Sequence, residues 1–259
     1  MKGIEIGIIG GTGGMGRWFA RFFEKEGNTI HVSGRKSGMS AAEMARTCQM
    51  VIVSVPIGVT GTVINTVGPY MREDTLLMDL TSLKREAVAA MLESSVSEVI
   101  GCHPLFGPQV ESMAGQNVVL CPARGNRWLP WLKGILGKNG ASIVEATPEK
   151  HDRMMAIVQG LNHFNTIAMG MVLNKTGVDM SELLQFSTPN FRTKMEVLER
   201  VFCQNPGLYA EIVTMNPDAR HLIDLYGKII TELKDVIDRG DASQLAEIIG
   251  RQSLFHQCQ

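Results

Sequence analysis

Three clusters in this sequence hold residue types that could do chemistry. Gly101-Cys102-His103-Pro104-Leu105-Phe106-Gly107-Pro108 places one imidazole where proline and glycine fix the chain. Imidazole suits a base that removes a hydroxyl proton while hydride leaves the same carbon. Asp79-Leu80-Thr81-Ser82-Leu83-Lys84 contributes a hydroxyl. Ser82 has two readings, as the group that orients a catalytic side chain or as the cap of the next helix. The third cluster runs from Ile8 to Gly16 and contains Gly11-x-Gly13-x-x-Gly16. Gly11 permits a tight turn, Gly13 leaves room for a pyrophosphate against the backbone, and Gly16 lets the following helix pack closely. Gly11, Thr12, Gly13, Gly14, Met15 and Gly16 are therefore the expected dinucleotide cradle.

The flanking residues say which elements position these groups. Ile4, Ile6, Ile8 and Ile9 make an apolar strand before the glycines, and Met15, Trp18, Phe19, Phe22 and Phe23 make one helical stripe after them. Further strands are expected at residues 29–34, 50–55, 75–80 and 97–102, with helices between them. That alternation implies βαβ units in a parallel, doubly wound sheet of Rossmann type. Ser82 and His103 then follow the fourth and fifth strands, and Val55 and Pro56 the third, at the carboxyl ends where ligands bind. Two more strands, at 117–121 and 141–145, close an expected first domain of residues 1–146.

Residues 147–259 are expected to form an all-α domain. Met154, Ile157, Val158, Leu161, Phe164, Ile167, Ala168 and Met171 cover more than one face of a long helix, so that helix needs partners, and a second copy of the chain is the simplest source. Gln159, His163 and Thr166 share a polar stripe on it. His163 reads either as a cleft residue or as a satisfied core histidine. Further helices are expected at 181–186, 190–204 and 217–239, and Asp241 is placed to cap another. In 259 residues the net charge of −1 offers no footprint for nucleic acid, and no apolar run is long enough for a membrane span. The five cysteines (Cys48, Cys102, Cys121, Cys203, Cys258) are scattered, with no metal-like spacing, so no metal is expected. Scattered thiols and a chain that opens directly on a strand, without a leader pattern, give a cytoplasmic expectation.

The end of the second strand bears on the nucleotide. An NAD site usually has a carboxylate there for the ribose 2′-hydroxyl, whereas an NADP site substitutes a cation for the 2′-phosphate. Here the residues are Ser33-Gly34-Arg35-Lys36. Without an acid, and with a guanidinium able to pair with phosphate, NADP is expected over NAD. Solvated loop charges are the other reading of Arg35 and Lys36.

Taken together, GGTGGMG, VIVSVPI, DLTSLK, GCHPLFGP, QGLNHF and STPNFR…ERVFCQNPGLYAEI resemble the prephenate dehydrogenase family of tyrosine biosynthesis along essentially the whole chain. The resemblance implies that His103 is the catalytic histidine, that Ser82 hydrogen-bonds it, and that Arg200 holds a carboxylate of the substrate prephenate. It also implies that His163 lines the substrate pocket and that the chain is a homodimer joined through its helical domain. Arg192 is the next candidate for the carboxylate. Some members carry a fused chorismate mutase module ahead of the nucleotide domain, and that activity is expected to be absent here. The rival readings are arogenate dehydrogenase, which differs in one recognised group, a coenzyme F420-dependent NADP reductase, and a catalytically inactive NADP-sensing dimer.

The cofactor expectation is tested by Arg35→Ala. Loss of a charge-assisted bond should weaken NADP binding by about 1–3 kcal/mol while leaving NAD nearly unchanged. Equal changes in Kd for the two nucleotides, or a preference of the unaltered protein for NAD, would contradict it.

Overall fold

The computed structural model describes residues 3–34 and 38–251. The two expected cofactor cations, Arg35 and Lys36, lie outside the described residues, as does Cys258. The first part alternates β1 (Glu5–Ile9), α1 (Gly14–Lys25), β2 (Thr29–Ser33), α2 (Ala41–Thr47), β3 (Met50–Val53), α3 (Ile57–Val67), β4 (Leu76–Asp79), α4 (Arg85–Ser94) and β5 (Glu98–Pro104). It closes with β6 (Asn117–Arg124), α5 (Trp128–Lys138) and β7 (Ser142–Glu145). These strands form one seven-stranded sheet in the order β2-β1-β3-β4-β5-β6-β7.

The sheet departs from the expected parallel arrangement at one pairing, so that β6 and β7 both run opposite to the other five strands. β6 runs antiparallel to β5 and parallel to β7, whereas every other pairing is parallel. No helix separates β5 from β6. Without a crossover the chain returns beside β5 in the opposite direction.

Alternate residues of the buried strands feed two cores, one on each face. Ile6, Ile8, Met50, Ile52 and Met78 pack with Trp18, Phe19 and Phe23 of α1 and with Trp128 and Leu132 of α5. Val51, Val53, Leu77 and Val99 pack with Met44 of α2, Ile64 of α3 and Val88 and Met91 of α4. Each such large side chain removed from water contributes roughly 1.5–3 kcal/mol. A sheet buried on both faces explains the nearly continuous apolar strands.

The second part is helical. It comprises α6 (Pro148–Met155), a π-helical turn (Ala156–Leu161), α7 (Asn162–Thr176), α8 (Met180–Gln185), α9 (Pro189–Glu199), a second π-helical turn (Arg200–Gln204), α10 (Pro206–Met215), α11 (Pro217–Asp238) and α12 (Ala242–Gly250). Asp241 caps α12 as expected, accepting from Gln244 N at 2.8 Å. The expected pattern lacked α10, which Asn205 caps with Pro206 in its first turn. The long central helix is far more exposed in the single chain than its composition implies. Thr166 is the one buried residue of α7, while Ile157, Val158, Met171 and Val172 are all at least half exposed.

The glycine turn shows where backbone freedom is required. Gly10, rather than Gly11, has the left-handed conformation, with φ of +81° and a Cβ position 2.1 Å from the carbonyl oxygen of Ser54. Gly16 has the expected packing task, since a Cβ there would lie 2.5 Å from the carbonyl oxygen of Gly10. Gly10→Ala should therefore destabilise the protein by more than about 2 kcal/mol in urea unfolding. Gly27→Ala is the control, at φ of +83° with open space around it, and should cost about 1 kcal/mol. Equal losses would show that the approach of Ser54 does not matter.

Candidate active site

The carboxyl ends of β1, β3, β4 and β5 face the helical domain across a cavity of about 660 Å³. Its floor contains Gly13, Gly14 and Met15 of the glycine turn, Val55 and Pro56 after β3, Ser82 after β4, and His103 on β5. Gln159, His163, Asn205, Tyr209 and Glu211 line it from the helical side.

Its nucleotide end fits a pyrophosphate. Gly13 is the N-cap of α1 and has no side-chain cap bond, so the first N–H groups of a twelve-residue helix remain available to an anion. Gly10 N and Gly11 N both donate to the Ser33 carbonyl, at 2.8 and 3.2 Å, which ties the turn to the end of β2. Gly11, Thr12, Gly16, Ser33 and Gly34 do not line the cavity and instead build the turn around it.

At the other end the central observation is a buried chain of three side chains. His103 Nδ1 lies 2.8 Å from His151 Nε2, and His151 Nδ1 lies 2.7 Å from Asp152 Oδ1. His103, His151 and Asp152 are each no more than 3% exposed. Asp152 Oδ1 also accepts from Lys84 N at 2.8 Å, and Oδ2 from Arg85 N at 3.0 Å. This carboxylate from α6 thus caps α4 across the domain boundary, where Lys84, the N-cap residue, supplies no side-chain cap of its own.

Electrostatics keeps the imidazoles neutral. Burial, then the neighbouring His151 and Lys84, holds the His103 pKa well below 6.5. Burial also lowers His151, opposed by its bond to Asp152, and burial lowers His163. Burial works to raise the Asp152 carboxyl, but bonds from His151, Lys84 N and Arg85 N outweigh it and leave the pKa below the usual value. Lys84 is itself fully buried, bonded to Asp79 and, at 2.9 Å, to the Cys102 carbonyl. The three buried thiols are inert by the same logic: burial pushes Cys48 and Cys121 up to about 12 and raises Cys102 further.

Ser82 requires a correction. It lines the cavity, but His103 Nδ1 is taken by His151 and the start of α4 by Asp152, so neither expected role of Ser82 is seen. Among the described residues Ser82 makes no side-chain hydrogen bond. Gln159 Nε2 lies 3.4 Å from His103 Nε2, and His163 packs edge-on against Tyr209 with centroids 4.8 Å apart. Gln159 Oε1 and His163 Nδ1 are buried without partners, as expected of groups that wait for a polar ligand. Thr166, the third member of the expected stripe, instead donates to the Asn162 carbonyl.

The expected carboxylate anchors are not in this cavity. Arg200 is exposed and starts the π-helical turn that leads to Asn205. Arg192 donates to Ser187 Oγ and the Leu184 carbonyl and lines a separate cavity of about 1030 Å³ in the helical domain. Among the described lining residues Glu211 is the single carboxylate, and there is no lysine or arginine. Glu211 accepts from Ile57 N and Gly58 N, at 3.0 and 3.4 Å, at the start of α3. Sequence reasoning missed His151, Asp152 and Glu211; the available signal was the pair His151-Asp152 just ahead of Gln159 and His163 on the same helical run.

Residues 24–145 match the family described as prephenate dehydrogenase, nucleotide-binding domain, and residues 147–251 match prephenate dehydrogenase, dimerization domain. The chain is 36% identical over 266 residues to a "Probable arogenate/prephenate dehydrogenase" of Methanocaldococcus jannaschii, covering 95% of this chain and 59% of that protein. It is 39% identical over 209 residues to the T-protein of Haemophilus influenzae, covering 81% of this chain and 55% of the relative. It therefore spans little more than half the length of either. Its fold is similar to that of prephenate dehydrogenase from A. aeolicus, solved with hydroxyphenyl propionate and NAD+, at TM-score 0.72 and 20% identity over 96% of both chains. Synechocystis arogenate dehydrogenase superposes at TM-score 0.71 and 19% identity, over 96% of this chain and 97% of that one. Among the described residues no helix is long and apolar enough to cross a membrane, and no cluster of metal-binding side chains occurs.

Proposed function

The chain belongs to the prephenate dehydrogenase family, and on that premise we propose that it oxidises prephenate to 4-hydroxyphenylpyruvate and CO2 with NADP as acceptor. The observation that carries this reading is the neutral, buried His103 at the end of the cavity opposite the glycine turn.

The chemistry follows from the substrate. Prephenate has a ring hydroxyl on C4, a ring carboxylate and a pyruvyl side chain. When bound, the nicotinamide supplies a hydride acceptor. His103 Nε2 takes the hydroxyl proton as the C4 hydride leaves, giving a ketone. Loss of CO2 returns an electron pair to the ring, which becomes aromatic, and the proton on His103 goes back to the phenolate oxygen. Proton, hydride and carboxylate are then all accounted for without a metal. Ser82, Gln159 and His163 offer polar groups to the substrate from around His103. Arg200 is assigned to a substrate carboxylate, with Arg192 second, on the family resemblance, since a dianion needs a cation. Gly13, Gly14 and Met15 hold the pyrophosphate, with Arg35 and Lys36 for the 2′-phosphate.

Arogenate, with an ammonium on the side chain, remains the second reading because a single recognised group separates the two substrates. Turnover of each acid with NAD and with NADP, followed at 340 nm, decides both choices. His103→Asn should keep nucleotide affinity and lose about 10²–10⁴-fold in kcat. In the unaltered enzyme neutral His103 is the active form and its pKa is depressed, so kcat/KM should hold down to pH 6.5 and fall only below it. Near-normal turnover by His103→Asn would move the base elsewhere, with His163 the first to test.

We also assign a homodimer built from the helical domain. The α8 and α12 helices bury no residue in the single chain, and Phe186, Val172, Ile237 and Ile249 are each more than 60% exposed. That much apolar surface marks an interface. Sedimentation at micromolar concentration should give the mass of two chains, and an active monomer would contradict the assignment.

A further inference from the structure

His151 and Asp152 touch neither substrate nor cofactor in this reaction, yet both are buried and are bonded in series to its base. Hydrogen-bond accounting along the chain has one solution with both imidazoles neutral. The Asp152 carboxylate can only accept, so His151 Nδ1 must carry the proton. His151 Nε2 is then a bare acceptor, so His103 Nδ1 must donate to it. That leaves the lone pair of His103 on Nε2, the nitrogen beside Gln159. The opposite tautomer of His103 would set two lone pairs against each other between the rings or, with the His151 proton moved to Nε2, leave the buried carboxylate facing a lone pair.

We propose that His151 and Asp152 are positioning residues that lock His103 in the tautomer whose Nε2 accepts the substrate proton. The inference rests on the assignment of His103 as the base. When Nε2 is protonated, the charge on His103 is relayed as dipole and hydrogen bond to Asp152 through His151, with no net transfer required beyond the first proton. Lys84 works in the other direction. Its buried ammonium, paired with Asp79 under the Cys102 carbonyl, disfavours the imidazolium, so that the base releases its proton readily to the product oxygen. The groups facing the two imidazoles are thus Asp152 from α6, Asp79 from β4, Lys84 from the turn before α4, and Gln159 from the π-helical turn.

Two substitutions separate a tautomer lock from mere packing. His151→Gln keeps a carbonyl oxygen that can accept from His103 Nδ1, whereas His151→Phe fills the space but accepts nothing. Nitrogen-15 spectra of labelled histidine, taken without ligands at neutral pH, read the tautomer directly. In the unaltered protein and in His151→Gln, His103 should be protonated on Nδ1 and bare on Nε2. In His151→Phe that preference should be lost. With prephenate and NADP, His151→Phe should lose about 10²-fold or more in kcat at unchanged nucleotide Kd, the consequence of a wrong tautomer, while His151→Gln stays within about tenfold.

The inference is overturned if His103 carries its proton on Nε2 in the unaltered protein. It is equally overturned if His151→Phe matches the unaltered protein in spectrum and rate. If the unaltered protein turns over neither prephenate nor arogenate, the proposed function fails, and the nitrogen spectra, which need no substrate, still decide the tautomer lock.

Discussion

The Asp152 carboxylate is the contact on which the site depends. A helix that begins inside a protein leaves N–H groups that must find acceptors, and α4 begins at the floor of the cavity with no cap from its own side chains. Asp152 meets that need from the other domain and, with the same Oδ1 atom, holds His151. Its own carbonyl is held by Asn216 Nδ2 at 2.9 Å, at the start of α11. A cap is worth about 1 kcal/mol and a hydrogen bond to a buried charge about 1.5–3 kcal/mol, so domain docking and orientation of the base share one source of stability. Glu211 repeats the device one strand over, at the start of α3. Two carboxylates of the helical domain therefore sit on two neighbouring helix starts, and one of them, Glu211, lines the cavity.

The buried Lys84–Asp79 pair is the second constraint. Charges taken out of water cost several kcal/mol each unless they are fully paired, and here Thr81 N, Thr81 Oγ1 and the Cys102 carbonyl complete most of the pairing. Asp79 Oδ1 alone is left without a partner. The pair fixes a positive charge behind His103, and together with burial this sets the proton affinity of the imidazole. Stability and chemistry are joined in the same few residues because all of them lie where β4 and β5 end.

What could be read from sequence was local. The glycine turn, the apolar strands and the aromatic stripe of α1 are set by neighbours within a few residues, and the sheet follows from their alternation. His103 was legible because proline and glycine fix its position at a strand end. The partner of His103 was not, because His151 lies 48 residues away in sequence and looks like any polar residue in the first turns of a helix. The absence of a Ser82–His103 bond has the same origin, since His103 Nδ1 is already paired with His151. The direction of β6 is invisible to hydrophobic pattern, which reports burial and not polarity. The exposure of the central helix fits the inference from composition that a helix apolar on several sides needs partners beyond its own chain.

The most direct test joins the two tasks of Asp152 in one protein. In Asp152→Ala, hydrogen exchange at the Lys84 and Arg85 amides and turnover are measured on the same sample. Faster exchange at those two amides together with a loss in kcat of about 10²-fold or more is the predicted result. Faster exchange with turnover unchanged would contradict the account, since it would show that the helix cap and the base are held independently.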